Sequence, residues 1–174
     1  MTAKAPRALI LGMLLAALPT LGGCGYRLAT ARGPLATANG VNVVMFGNKS
    51  LRPGVEGVLA RDLVDELALR TGGKVLSGDQ AQLELTGVVL TYATVPVSYT
   101  SIDLIKEYRT EIKVESTLRD KGSQKVLWKG ELSDSQTFPV NNNLALQQNA
   151  EEAATAKVCR MLSEEIWQKI SEQF

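Results

Sequence analysis

The chain has 174 residues, 45% of them hydrophobic and 21% charged, with 19 lysines and arginines against 18 aspartates and glutamates. This size and composition fit a single folded domain and exclude a wholly disordered or collagen-like chain, while the net charge of +1 excludes a protein that holds nucleic acid by neutralising its phosphates. The sequence has no histidine and two cysteines, so it lacks the commonest general base and has too few thiols for a disulfide framework.

The N-terminus has the pattern of a bacterial lipoprotein signal. Lys4 and Arg7 precede an apolar run over residues 8–18, which is too short to span a bilayer as a helix. Small residues then lead into a cysteine, in the order Leu-Gly-Gly-Cys at residues 21–24, which resembles the lipobox whose cysteine becomes linked to diacylglycerol. We therefore predict lipidation at Cys24; the alternative is an ordinary signal peptide, or a short membrane anchor, with an incidental cysteine.

Lipidation would make the protein a membrane-tethered domain, because several acyl chains hold a protein stably at a membrane. The residue after the cysteine is Gly25 and not aspartate, which permits export to the outer membrane in bacteria that sort lipoproteins by this position. We predict a signal peptide over residues 1–23, a tether over residues 24–40 and a single domain over residues 41–174. The expected location is the periplasmic side of the outer membrane, held by the lipid anchor.

The domain is predicted to begin with a strand and a helix. The β-branched and aromatic residues over 41–46 favour a strand, which Gly47 and Asn48 end. The helix begins at Pro53 and ends before the two glycines at 72–73. Its apolar residues recur at every fourth position, and they are Val55, Leu59, Leu63 and Leu67.

Three strands are predicted in the next part of the chain. Apolar residues of both parities over 83–92 indicate a strand that is covered on both sides. Over 108–119 apolar and charged residues alternate more cleanly, which predicts an antiparallel strand with one buried and one wet face. A turn at 120–123 leads to the third strand around Trp128. The charged residues that alternate over 108–119 form either a solvated face or a face that meets the polar wall of a partner.

A long amphipathic helix closes the chain. Asn143 is among three asparagines that can cap it, and Cys159 borders its apolar stripe as a small buried thiol. Trp167 lies off the stripe and either completes the core or faces a partner. The order of elements predicts an α+β fold, a two-layer sandwich with two helices packed on one face of a four-stranded, mostly antiparallel sheet. The stripe consists of Leu146, Ala150, Ala154, Val158, Leu162, Ile166 and Ile170.

The residue patterns do not support catalysis or metal binding. The domain has no glycine-rich phosphate loop and no Gly-x-Ser-x-Gly elbow. Ser77, Ser98 and Ser101 leave a lysine-assisted serine as the enzymatic alternative. The acidic residues over 62–66 fit a solvated helix face better than a metal site. We therefore predict no enzyme, no catalytic residue, no metal and no cofactor.

The hairpin over residues 98–106 is too apolar for a merely solvated turn. Lys106 and Arg109 lie beside Ile102 and Leu104, so cations and apolar side chains are close together in the sequence. Cations of this kind bind the phosphates of an amphiphile, and apolar side chains contact its acyl chains. Lys106 and Arg109 are therefore candidate lipid contacts; the alternative is a strand that continues through the hairpin with both cations solvated.

A set of short motifs follows the lipobox in a fixed order. They are Cys-Gly-Tyr-Arg-Leu at 24–28, a Val-rich strand ending at Phe46, Asn-Lys-Ser at 48–50, Pro-Gly-Val-Glu at 53–56, Asp-Glu-Leu at 65–67 and Val-Leu-Trp at 126–128. Together with the closing helix they resemble the LptE-type lipopolysaccharide-assembly lipoproteins over nearly the whole chain after the signal peptide.

The resemblance implies the two-layer fold given above and a role as the plug-like partner of the LptD β-barrel, which it helps to assemble while aiding lipopolysaccharide transport to the outer leaflet. It also implies lipopolysaccharide binding through basic residues, of which Lys106 is the nearest match, with Arg109 behind it. A second basic position of the family, near the start of the last helix, has no counterpart before Lys157. The alternative function is that of a small periplasmic lipid- or ligand-binding lipoprotein unrelated to the barrel.

Overall fold

Two helices pack on one face of a single sheet in the computed structural model, which describes residues 34–172. The predicted signal peptide and Cys24 lie outside these residues. None of the described helices is long and apolar enough to cross a membrane. The elements are, in chain order, α1 (Pro34–Thr37), β1 (Val41–Val43), β2 (Gly47–Asn48), α2 (Val55–Thr71), β3 (Leu83–Tyr99), β4 (Ile105–Asp120), β5 (Val126–Pro139) and α3 (Leu144–Glu172).

The sheet has the strand order β1-β3-β4-β5, and β2 is also paired with β3. The three long strands are antiparallel neighbours, whereas β1 and β2 both run parallel to β3 along one edge. The predicted α+β sandwich is therefore confirmed, although the sheet has five strands and not four. The first predicted strand, over 41–46, ends at Val43, and Gly47–Asn48, predicted to end it, instead form the additional short strand β2. Between β1 and β2 Phe46 turns into the core, where it is 2% exposed.

Phe46 lies against the sheet at a glycine. A Cβ added at Gly87 would be 2.3 Å from Phe46 Cε1 and 2.6 Å from the carbonyl oxygen of Glu115. Any side chain at this position would displace both the ring and the neighbouring strand. The glycine therefore allows the aromatic ring to cover the backbone of β3.

β3 changes its buried parity at a bulge. Leu90 lies outside the ladder, between the pairs Val89–Val114 and Thr91–Lys113. Before the bulge the odd-numbered residues of the strand face the helices, and after it the even-numbered residues do. A single buried face with a bulge therefore explains the mixed parity of this segment, and the prediction that it is covered on both sides is wrong.

The core lies between the helices and the sheet. Leu59 and Leu63 of α2 and Leu162 of α3 are fully buried in it. Cys159 is also fully buried, which confirms the predicted small buried thiol. Trp167 is 6% exposed, so its indole completes the core and does not face a partner.

The packed part of the chain starts before residue 41. Leu35 of α1 and Ala38 are 3% and 5% exposed and belong to the core. The N–H of Asn39 donates to Gln82 Oε1 at 3.1 Å, which ties this segment to the start of β3. The last residues of the predicted tether are therefore part of the folded domain.

The N-terminal part of α3 extends beyond the apolar core. Asn143 Oδ1 accepts hydrogen bonds from the N–H groups of Ala145 and Leu146, at 3.0 and 3.3 Å, as a helix cap does. Leu146 is 51% exposed, and the first buried residue of the helix is Ala154. The predicted stripe is therefore confirmed from Ala154 onward, whereas the prediction is wrong at Leu146, because this part of the helix lies beyond the buried core.

The free edge of β5 is covered by its own side chains. Asp134 Oδ1 accepts a hydrogen bond from the N–H of Ser135 at 2.7 Å, and Gln136 Nε2 donates one to the carbonyl oxygen of Thr137 at 2.8 Å. Backbone groups two residues apart point to the same side of a strand, and the other side of β5 is occupied by β4. The edge thus satisfies part of its own hydrogen bonding, which makes it a poor template for a further strand.

Candidate functional site

Exposed apolar side chains collect at one end of the molecule, which we call the distal end. It consists of the β3–β4 hairpin, residues 99–105, and the first turn of α3, residues 144–146. The N–H of Val140 donates to the carbonyl oxygen of Lys106 at 3.0 Å, which holds the segment before α3 beside the hairpin. The side chains are at least 44% exposed, and they are Val95, Tyr99, Ile102, Leu104, Leu144 and Leu146.

The hairpin is a hydrogen-bonded turn. The N–H of Thr100 donates to the carbonyl oxygen of Leu104 at 2.7 Å, and the N–H of Asp103 donates to the carbonyl oxygen of Thr100 at 3.2 Å. Asp103 has φ 58°, a left-handed conformation that a continuing strand would not contain. The alternative of a strand running on through the hairpin is therefore wrong, and the turn holds Ile102 72% exposed.

The candidate residues Lys106 and Arg109 both lie exposed on β4, next to the distal end. Arg109 has regular partners, Val95 and Thr137, whereas Lys106 lies where the pairing with β3 is irregular. The two cations are three residues apart on β4 and adjoin the hairpin. Neither forms an ion pair with another residue of the described range.

The sheet face opposite the helices, which we call the charged face, is internally paired. Glu115 and Glu131 lie directly across from each other on β4 and β5, an arrangement that is unfavourable by itself. Each has a lysine partner: Lys129 Nζ is 2.9 Å from Glu115 Oε2, and Lys113 pairs with Glu131. Acidic and basic side chains are mixed on this face, and among them are Glu84, Glu107, Arg109, Glu111, Lys113, Glu115, Arg119, Lys129 and Glu131.

The loop between β2 and α2 contains two of the sequence motifs and is fixed by Asn48. Its Nδ2 donates to the carbonyl oxygen of Arg52 at 2.8 Å and to Glu56 Oε2 at 2.6 Å, and its Oδ1 accepts from the N–H and hydroxyl of Ser50. The backbone N–H of Glu56 and then the Asn48 amide lower the pKa of the Glu56 carboxyl by bonding to its charged form. These motif residues therefore position the start of α2.

The same loop places Arg52 over a polar cluster between the sheet and α3. The Arg52 guanidinium carbon is 5.6 Å from the centroid of the Tyr92 ring, and Nη1 is 3.7 Å from Glu151 Oε1. The Tyr92 hydroxyl donates to Glu151 Oε1 at 2.8 Å and lies 3.0 Å from Thr155 Oγ1. Sequence reasoning missed this cluster, because its members come from three separate elements and only Arg52 adjoins a motif.

We expect Tyr92→Phe to lower the free energy of unfolding by about 1–2 kcal/mol, because Glu151 and Thr155 lose a hydrogen-bond partner in a half-buried site. Urea unfolding followed by circular dichroism measures this change. Tyr99→Phe is the matched control: its side chain is 56% exposed, and we expect a change below about 0.5 kcal/mol. Equal effects of the two substitutions would show that the cluster does not stabilise the fold.

Two grooves flank α3. One, of about 320 Å³, lies between α3 and the start of α2, and Arg52 and Arg61 contribute to its lining. The other, of about 290 Å³, lies between α3 and the end of β5. Among residues 34–172 no three acidic, cysteine or histidine side chains are grouped as a metal site. Of the candidate serines, Ser98 donates its hydroxyl to Glu107 Oε2 at 2.8 Å.

The fold is shared with solved bacterial lipoproteins. Rare lipoprotein B from Shewanella oneidensis is 15% identical with a TM-score of 0.51, and the match covers 73% of this chain and 93% of that one. A minor lipoprotein from Acinetobacter baumannii is 17% identical with a TM-score of 0.53, covering 77% and 92%. Lipoprotein B from Nitrosomonas europaea is 17% identical with a TM-score of 0.56, covering 84% and 90%. At such identities the likeness shows the fold.

A family model places the chain more narrowly. The model of the LptE family, described as lipopolysaccharide-assembly, matches residues 38–170. The chain belongs to this family of envelope lipoproteins, and the resemblance drawn from its motifs is confirmed. No curated protein matches the sequence.

Proposed function

We propose that this protein is an outer-membrane lipoprotein, anchored through Cys24 on the periplasmic side, that occupies the lumen of an LptD-type β-barrel. In that position it helps to assemble the barrel and aids the transport of lipopolysaccharide to the outer leaflet. The family role in lipopolysaccharide assembly supports the general activity, and the shape and charge of the domain support the partner and the location.

The observation that carries this proposal is the separation of the two ends of the sheet. The chain reaches the sheet through α1, near the start of β3, where Lys74 Nζ donates to the carbonyl oxygen of Ala36 at 3.2 Å. The distal end lies at the other end of β3, which has 17 residues. At about 3.3 Å per residue this strand spans roughly 55 Å, against about 40–45 Å for a bilayer with its head groups. A domain held at the inner leaflet is therefore long enough to reach the outer leaflet within a barrel.

The charged face suits contact with the wall of a polar lumen. Two lysine–glutamate pairs are already formed within the sheet, Lys113 with Glu131 and Lys129 with Glu115, and the remaining charges of both signs can be compensated by polar groups of the wall. Waters and paired charges satisfy an interface of this kind without any exposed apolar patch. In this arrangement the helices cover the other side of the sheet and keep its core closed.

Lipopolysaccharide is the proposed ligand of the distal end. Lys106 and Arg109, on β4 next to the hairpin, would bind phosphates, and the exposed Ile102 and Leu104 would contact acyl chains. Because each side chain is solvent-exposed before binding, the ligand need not enter a closed pocket. This division of roles matches the two chemical parts of the lipid.

The barrel role is tested by detergent extraction and pull-down of a tagged form, with co-purifying proteins identified by mass spectrometry. We expect an LptD-type barrel to co-purify, and Ser133→Trp, in the middle of the charged face, to reduce its recovery at least tenfold. Gln168→Trp, on the exposed side of α3, is the matched control and should leave recovery unchanged. The proposal would be contradicted if the protein fractionated as soluble. It would also be contradicted if recovery of the barrel were the same with and without Ser133→Trp.

The lipid contacts are tested by reversing charge at the distal end. We expect the double variant Lys106→Glu and Arg109→Glu to bind lipopolysaccharide at least tenfold more weakly, because two charge-assisted contacts become repulsive. The control reverses Arg119 and Lys125 at the opposite end of the sheet, so the net charge is the same. Circular dichroism checks that both variants are folded, and unchanged binding by the folded first variant would rule out these contacts.

A further inference from the structure

The groove between α3 and the end of β5 has an apolar floor. Its volume is about 290 Å³, near the lower end of the range for small-molecule sites. Phe138 and Ala154 form the floor and are 5% and 4% exposed. Pro139, Ala150 and Ala153 form the sides, and the small alanine side chains leave the space open.

The helix side of the groove forms a strip with different chemistry at its two ends. Lys157 lines the groove at one end, and Leu146, which is 51% exposed, continues the same helix face beyond Ala150 at the other. Eleven residues of α-helix separate them, which is a length of about 16 Å. The strip therefore has a cation at one end and small or apolar side chains along the rest of this helix face.

Two polar residues, Gln136 and Thr137, line the groove beside its apolar floor. On the nearby edge of β5 two backbone groups are bonded to side chains, the N–H of Ser135 to Asp134 and the carbonyl oxygen of Thr137 to Gln136. Lys157 forms no ion pair within residues 34–172, so its ammonium group is available to an anion.

We propose that this groove binds a long-chain fatty acid, with the carboxylate at Lys157 and the alkyl chain running past Ala153 and Ala150 toward Leu146. A single alkyl chain needs no hydrogen bonds along its length and fills a strip of this shape, while the ammonium group pairs with the carboxylate. On β5 the charged residue before the groove lining is Asp134, whose Oδ1 accepts a hydrogen bond from the N–H of Ser135. The carboxylate end of the site, at Lys157, is separate from Lys106 and Arg109, the alkyl end reaches the distal end at Leu146, and the site does not depend on the barrel role.

The test uses the full-length chain carrying Cys24→Ala, so that no attached acyl chain competes. Myristic acid binding is measured by calorimetry, and 5-doxyl-stearic acid, whose spin label lies near the carboxylate, locates the bound lipid by paramagnetic broadening of amide signals. We expect broadening around Ala153 and Lys157. We expect Lys157→Gln to weaken myristic acid binding roughly tenfold, and Lys157→Arg to keep it.

Filling the groove provides the matched comparison. Ala153→Trp occupies the strip and should abolish binding, whereas Ala156→Trp, on the other flank of α3, should leave it unchanged. Myristyl trimethylammonium, which has the same chain and the opposite charge, should bind at least tenfold more weakly than myristic acid. The proposal is overturned by equal binding of the two amphiphiles, by broadening confined to the distal end, or by binding that Ala153→Trp does not change. Because the barrel pull-down has a separate readout, the two proposals can fail independently.

Discussion

Replacing Leu162 by alanine should lower the free energy of unfolding by about 3 kcal/mol, because Leu162 is fully buried between α3 and the sheet and its loss leaves a cavity. Cys159 provides a sensitive measurement, since it lies one turn away and is also fully buried. Burial raises the pKa of this thiol to about 12, so the folded protein contains almost no reactive thiolate at neutral pH. Alkylation then requires opening of the fold, and a loss of 3 kcal/mol should accelerate it roughly a hundredfold.

Leu69→Ala is the control for this experiment. Leu69 lies on α2 but is 75% exposed, so the same substitution should change stability by less than about 0.5 kcal/mol and leave the alkylation rate nearly unchanged. Urea unfolding of both variants gives an independent value of the free energy. Fast alkylation of Cys159 in the unsubstituted protein at neutral pH would contradict the buried position of the thiol.

The same thiol gives a pH dependence with a defined sign. Its pKa in the fold is about 12 and lies above its ordinary value, since burial disfavours the thiolate. The resulting stability is complete below the ordinary thiol pKa and is lost as the pH rises toward about 12, because only the unfolded chain ionises readily. Cys159→Ala should therefore remove part of the alkaline loss of stability, as measured by urea unfolding at increasing pH.

Gly87→Ala is the second substitution for which we expect a large effect, a loss of about 2–3 kcal/mol. The new methyl group would overlap both the Phe46 ring and the carbonyl oxygen of Glu115, and the carbonyl belongs to a central strand that cannot move alone. Adding Phe46→Leu should recover only part of the loss, since it relieves one of the two overlaps. Thermal unfolding measures both variants.

Gly122→Ala is the matched control for Gly87→Ala. Its added Cβ would meet Asp120 Oδ1 at an ordinary 3.5 Å, and its φ is not in the left-handed region, so we expect little change. If Gly87→Ala lowered the stability no more than Gly122→Ala does, Phe46 would not pack on the sheet as described. Retention of full stability by Gly87→Ala would lead to the same conclusion.

Periodicity predicted most of the fold because most of it is buried on one side. The fourth-position spacing of Leu59, Leu63 and Leu67 reports a helix with one buried face, and the alternation along β4 reports a strand between a core and a wet face. The alternation did not predict β3 correctly. A bulge at Leu90 changes the buried residues from odd-numbered to even-numbered ones, and the composition gives no sign of it. The exposed position of Leu146 was also hidden, because its apolar character fits the stripe, whereas the buried part of α3 begins only at Ala154.

The candidate site was only partly visible in the sequence. Local chain proximity identified the apolar hairpin with Lys106 and Arg109, since all of these residues lie within one hairpin. The Arg52–Tyr92–Glu151 cluster depends on contacts between distant segments, and no local pattern reports it. Ala150, which lines the groove, was counted as core in the stripe, because a small side chain looks the same in sequence whether it packs against a neighbour or leaves a space.

The parallel edge made by β1 has a mechanical consequence. The chain passes from α1 directly into β1, whose three residues are paired with the start of β3. When the N-terminal side of the chain is pulled along the strand axis, these hydrogen bonds are loaded together in shear and are not opened one after another. A domain held by such an attachment resists tension from its own tether better than one whose first strand could be peeled away.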